Sequence, residues 1–125
     1  MTSTGVESVQ PVSIDAGTRF VPPLEGYEVR SESWLEAEYH CFRDPTDTVL
    51  CAAWRGEPGT VYLGPWPYDE VCVLLSGSVA IIDEAGNRRE FEAPEAFVIP
   101  RTFSGGWETT EPTQKIFVAI ATPSA

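Results

Sequence analysis

Three side chains able to do chemistry lie in apolar strand-like runs: Glu70, Cys72 and Lys115. Glu70 opens Glu-Val-Cys-Val-Leu-Leu, and strand alternation puts residues 70, 72 and 74 on one face. A carboxylate turned inward there must be paired, hydrogen-bonded or protonated, because a lone buried charge is too costly. Such a group serves as a general acid/base or as a ligand anchor. Otherwise it is a structural ion pair, or an exposed charge beside a turn. Cys72 shares that face and becomes a nucleophile if a neighbouring cation lowers its pKa. More often a buried cysteine is only a small core residue. Lys115 opens Lys-Ile-Phe-Val-Ala-Ile, with 115, 117 and 119 on one face. Lysine is almost never buried unpaired. An inward Lys115 therefore predicts a charged pair with Glu70 that holds a small polar ligand or transfers a proton. The alternative is a solvated lysine at a strand end.

Aromatic side chains surround these groups in sequence. Trp66 and Tyr68 sit in Gly-Pro-Trp-Pro-Tyr, a loop whose prolines restrict the backbone. With Trp107 they are expected either to stack on a flat ligand or to plug the interior. Arg55 and Tyr62 are expected to add polar groups to the same cavity. His40 is the single histidine. It either joins Glu70 and Cys72 in an unusual metal site or lies at the surface or an interface.

The elements that must position these residues are strands. Apolar or β-branched runs occur at 48–54, 60–63, 71–75, 78–82, 96–99 and 116–121. Turn signals separate them: Gly56-Glu-Pro-Gly59, Ser76-Gly77, Glu84-Ala-Gly-Asn87, Pro94-Glu95 and Glu111-Pro112. Strands about ten residues apart, with no convincing helix between them, predict an all-β sandwich or barrel. A hairpin is expected over 79–92, its turn at Gly86-Asn87 using two residues that tolerate positive φ. Residues 33–39 (SWLEAEY) fit a helical turn or an edge strand, and the strand is the preferred reading. Residues 1–18 are small and polar and are expected to be loosely ordered. Residues 19–125 then form one domain, long enough to fold without disulfide or metal.

Composition removes several functions. Nineteen acidic against eight basic residues give a formal charge of −11, which repels phosphate backbones and anionic lipid surfaces. Neither nucleic acid nor a membrane is an expected partner. No run of about 18 apolar residues exists to span a bilayer. Cys41, Cys51 and Cys72 are odd in number and contain no CxxC pair. With no basic-then-apolar leader at residues 1–10, they are expected to be free thiols in a reducing cytoplasm.

A family resemblance sharpens this reading. Glu70, six residues, then Gly77 resembles the end of the first cupin signature, and 91–109 resembles the second, with Pro100 in place. Trp54, Pro58-Gly59, Tyr68-x-Glu70-x-Cys72, Ser76-Gly77, Gly106-Trp107 and Lys115, in that order, resemble one branch of the superfamily. That branch contains ureidoglycine aminohydrolase domains and ethanolamine-utilization Q proteins. The resemblance covers residues 48–121 and implies a double-stranded β-helix, a jelly-roll-like barrel of antiparallel strands that is usually dimeric. It places Glu70 inside the barrel and Trp107 on the inward face.

The departures from that pattern concern the metal. The positions of its usual His-x-His fall among Leu63, Gly64, Pro65 and Trp66, and a further His position is Gly105. A mononuclear site needs about three or four converging ligands, and of the usual set only Glu70 remains. No metal or other cofactor is expected. The leading expectation is a metal-independent barrel that binds a small polar metabolite, as a lyase, isomerase or hydrolase using Glu70 as acid/base. The alternatives are a non-catalytic ligand-binding or interaction dimer, and a divalent-metal ureidoglycine aminohydrolase-like enzyme. A homodimer is expected because Phe20, Val21, Trp34, Leu35 and Tyr39 need a surface beyond a small barrel, and a strand laid across a partner sheet would bury them.

Overall fold

The computed structural model describes residues 5–121; the outer ends of the expected N-terminal segment (1–4) and of the domain (122–125) lie outside the described residues. Eleven strands follow in chain order: β1 Thr18–Phe20, β2 Glu28–Val29, β3 Glu36–Arg43, β4 Val49–Gly56, β5 Gly59–Leu63, β6 Asp69–Ser76, β7 Ser78–Asp83, β8 Arg88–Glu92, β9 Ala96–Ile99, β10 Gly105–Thr109 and β11 Thr113–Ile120. One sheet has the order β1-β3-β4-β11-β6-β9 and the other β2-β5-β10-β7-β8. Every pairing is antiparallel. No helix among the described residues is long and apolar enough to cross a membrane.

Both sheets turn alternate residues onto one core. Ala52, Trp54, Cys72, Leu74, Ile99, Phe117 and Ala119 come from the first sheet, and Val61, Val79 and Trp107 from the second. β11 shows the alternation plainly: Thr113, Lys115, Phe117 and Ala119 are buried, and the residues between them are not. This is the two-faced pattern of a half-buried strand, and it carries the polar Lys115 inward with the apolar members of its face.

Two turns depend on glycine. Gly77 passes the chain from β6 to β7, one sheet to the other, at φ +87°. A Cβ there would strike Thr113 Oγ1 and the Pro112 carbonyl. In the β7–β8 hairpin, Gly86 alone takes positive φ (+91°). Asn87, expected to share that role, instead donates its backbone N–H to Asp83 Oδ1 and its amide to Asp83 Oδ2.

The strand expected at residues 33–39 begins three residues later and runs on to Arg43. β10 lies in none of the apolar runs read as strands. Trp34 and Tyr39 are buried within the chain itself, Tyr39 against Ala37, Ala53 and Ile14. Neither therefore needs a partner surface, whereas Phe20, Val21 and Leu35 stay exposed.

Candidate functional site

The inward faces of β3, β4, β5, β6, β10 and β11 leave a cavity of about 230 Å³. Segment 22–27 and the Trp66–Tyr68 loop complete its wall. The Trp66 backbone N–H donates to the Phe103 carbonyl and pins that loop. Four indoles line the space (Trp34, Trp54, Trp66 and Trp107), with Tyr27, Tyr68 and Phe117. The aromatics expected to stack or to plug thus line a space they do not fill.

Glu70 and Lys115 meet in the wall of this cavity. In register, Ala119 lies opposite Glu70 and Phe117 opposite Cys72, so Lys115 starts beside Leu74. Its stem runs along the inner face until Nζ is 2.5 Å from Glu70 Oε2. The Cys72 thiol donates to the same oxygen at 3.1 Å, and Trp66 Nε1 donates to Oε1 at 3.1 Å. The ammonium also lies 4.0 Å from the centre of the Trp107 ring and 4.8 Å from that of Trp54, within range of a cation–π attraction.

These contacts set the charge states. Burial alone pushes the Glu70 carboxyl up, but the ammonium and the hydrogen bonds from Lys115, Trp66 and Cys72 bring it below its ordinary value. Burial likewise disfavours the Lys115 ammonium, yet its anionic surroundings raise it. Burial, with the Glu70 carboxylate beside it, pushes the Cys72 thiol well up. Cys72 is therefore a neutral hydrogen-bond donor behind the ion pair. The Lys115 ammonium also reaches the Cys72 sulfur, at 3.8 Å, but sits closer to Glu70, and the thiol stays above its ordinary value instead of being lowered as a nucleophile requires.

Two carboxylates that the sequence reading passed over also face the cavity: Glu36 and Glu38. Glu36 accepts from the indole N–H groups of Trp54 and Trp34, both at 2.8 Å, and lies beside the Tyr27 hydroxyl. Glu38 pairs with His40, Oε1 to Nε2 at 2.7 Å. Burial, then neighbouring carboxylates, pushes the hydroxyls of Tyr27 and Tyr68 far up, so both remain phenols able to donate. The available signal was the alternation Glu36-Ala-Glu38-Tyr-His40, which marks a two-faced strand but not which face turns inward.

Arg55 and Tyr62 do not reach the cavity, and their expected role is corrected. Trp54 and Val61 take the inward positions on β4 and β5, which turns their neighbours outward. Arg55 lies 5.6 Å from the Tyr39 ring centre, and Tyr62 sits under Arg30 at 3.5 Å.

The donor set does not suit a divalent metal. Among the described residues no group of three His, Cys, Asp or Glu side chains could hold one. His40 turns to Glu38, not to Glu70 and Cys72. The Lys115 ammonium already stands where a cation would meet Glu70, and its charge repels another.

The sequence profile of the EutQ-like cupin domain matches residues 43–117. No curated protein matches the chain by sequence. Among solved structures, the EutQ protein of Clostridium difficile is similar at TM-score 0.64 and 19% identity, over 98% of this chain and 82% of that one. The polyketide cyclase RemF of Streptomyces resistomycificus is similar at TM-score 0.68 and 15% identity, over 94% of this chain and 82% of that one. KdgF of a Halomonas species reaches TM-score 0.57 at 16% identity, over 75% of this chain and 88% of that one. At such identities the likeness concerns the fold.

Proposed function

The chain belongs to the EutQ-like cupin domain family, and on that footing we propose that its barrel binds a small polar molecule without a metal and moves a proton on it. The observation that carries this reading is the buried Glu70–Lys115 pair in the wall of an open, aromatic-lined cavity. Concave, largely apolar pockets with a few converging polar groups are the usual form of small-molecule sites. A purely structural pair would need no access to a cavity. In this reading Glu70 and Lys115 orient a polar group of the ligand, and the indoles supply flat contact area. The substrate would be isomerised, cleaved by elimination or hydrolysed. Each of these needs a proton moved at a fixed point and no change of oxidation state.

The test is a thermal-shift and calorimetric screen of small polar metabolites against the purified protein, with Glu70→Gln and Lys115→Ala beside it. Binding that both variants lose supports the reading. Binding and turnover that neither variant disturbs makes the pair structural. Metal analysis of protein prepared without a nickel column is the companion measurement. Stoichiometric manganese, iron or zinc would overturn the metal-independent part. A homodimer covering Phe20, Val21 and Leu35 accompanies this proposal, and sedimentation giving a monomer at micromolar concentration rejects it.

A further inference from the structure

Glu70 is poorly placed to exchange a proton. One of its oxygens accepts from Trp66, and the other from Lys115 and Cys72. Its Oε1 keeps one lone pair, but the ammonium on Oε2 holds the carboxyl below its ordinary value and makes it a weak base. Glu38 differs. Its carboxylate lines the same cavity, and only Oε1 is engaged, by His40. Oε2 has no hydrogen-bond partner among the described residues.

The strand geometry makes Glu38 and His40 a continuous unit. Residues 36, 38 and 40 share one face of β3. His40 lies opposite Thr18 of β1, and Phe20 packs on the imidazole at 5.1 Å between ring centres. The His40 side chain is 24% exposed against 13% for Glu38. His40 does not line the cavity, whereas Glu38 does. One end of the unit therefore meets the ligand space and the other meets water.

We propose that the Glu38–His40 pair is the proton-exchanging unit of this cavity, with Glu38 facing the ligand and His40 facing solvent. The inference rests on the proposed small-molecule site and moves its acid–base role from Glu70 to Glu38. A proton leaving a ligand O–H, N–H or C–H bond is accepted by Glu38 Oε2, and the bonding pair stays on the ligand. When His40 is in its imidazolium form it releases one proton to water in exchange and becomes neutral, so total charge is conserved and no electron is transferred. Run in reverse, the pair protonates the ligand.

The surrounding groups fit this division. Burial raises the Glu38 carboxyl, and Glu36 on its own strand raises it further, while His40 and Lys115 from β11 pull the other way. Tyr27 and Tyr68 face it as neutral phenols. A carboxyl raised towards neutrality both takes and gives a proton there, which a fixed carboxylate does not.

The experiment is a carbon-13 NMR titration of the full chain labelled at its glutamate carboxyls, run without ligand. The Glu38 signal is assigned by its loss in Glu38→Gln, and that of Glu70 by its loss in Glu70→Gln. Glu38 is expected to titrate above an ordinary glutamate, while Glu70 stays ionised throughout the range where Glu38 changes. His40→Gln is expected to raise the proton affinity of Glu38 by about fivefold, because it removes a stabilising partner of the carboxylate. His40→Asn serves under the same criterion if His40→Gln does not fold. A Glu38 curve unmoved by loss of the imidazole, or Glu70 titrating in place of Glu38, overturns the proposal. No ligand is needed for this readout. A failed ligand screen thus removes the small-molecule site alone, and a negative titration beside a positive screen removes the pair alone.

Discussion

The Lys115 ammonium sits 2.5 Å from Glu70 Oε2, with both side chains 6% exposed. A pair so enclosed is expensive to break from one side, because the remaining charge keeps its burial and loses its partner. Lys115→Met alone is expected to cost about 3–5 kcal/mol of unfolding free energy, and Glu70→Gln somewhat less. Combined, the two substitutions should cost clearly less than their sum, since neither charge is then left alone. Urea denaturation of all four proteins measures this. Additivity within about 0.5 kcal/mol would mean the two groups do not interact.

The same pair sets the limits of stability against pH. The Glu70 carboxyl lies below its ordinary 4.5 in the folded protein, so its contribution is complete above that value. It is lost as pH falls through the lower, folded-state value. Lys115 lies above its ordinary 10.5, so its contribution is complete below that value and is lost as pH rises through the higher, folded-state value. The pair therefore adds a constant amount between these limits. The difference in unfolding free energy between wild type and the double variant should fall at both ends of the pH range, through the folded-state value of Glu70 in acid and that of Lys115 in base.

Glu36 fastens two indoles of the cavity wall at once. Glu36→Ala leaves the Trp34 and Trp54 N–H groups without an acceptor, at about 1–3 kcal/mol each. Glu36→Gln keeps one acceptor oxygen and is expected to cost roughly half as much. Denaturation free energies rank the two variants, and tryptophan emission should shift to the red more in Glu36→Ala.

Gly77 and Gly86 both adopt positive φ, but only Gly77 is crowded. Gly86→Ala carries the left-handed backbone penalty alone, about 1–2 kcal/mol. Gly77→Ala adds a clash with the Pro112 carbonyl and with Thr113, whose Oγ1 accepts from the Ser78 N–H at 3.0 Å. Its cost should be at least twice as large, read as a drop in thermal midpoint. Equal drops would show that the sheet crossover yields easily.

Much of this protein was legible in its chain because strand alternation is a local property. The runs at 71–75, 96–99 and 116–121 give β6, β9 and β11 almost as drawn, and period-two spacing alone puts Glu70 with Cys72 and Lys115 with Phe117. Alternation does not say which face turns inward, and that depends on what the rest of the chain covers. Arg55 and Tyr62 were placed inside on chemistry, but Trp54 and Val61 hold the inward positions beside them. Glu36 and Glu38 were passed over for the same reason: only the packing of Ile14 against Ala37 and Tyr39 shows that the opposite face of β3, with both carboxylates, is the one on the cavity. The pairing of Glu70 with Lys115, 45 residues apart in the chain, was foreseeable as chemistry, since each needed an opposite charge. That the thiol of Cys72 stays neutral, and that one oxygen of Glu38 remains open, follow only from where three strands place their side chains together.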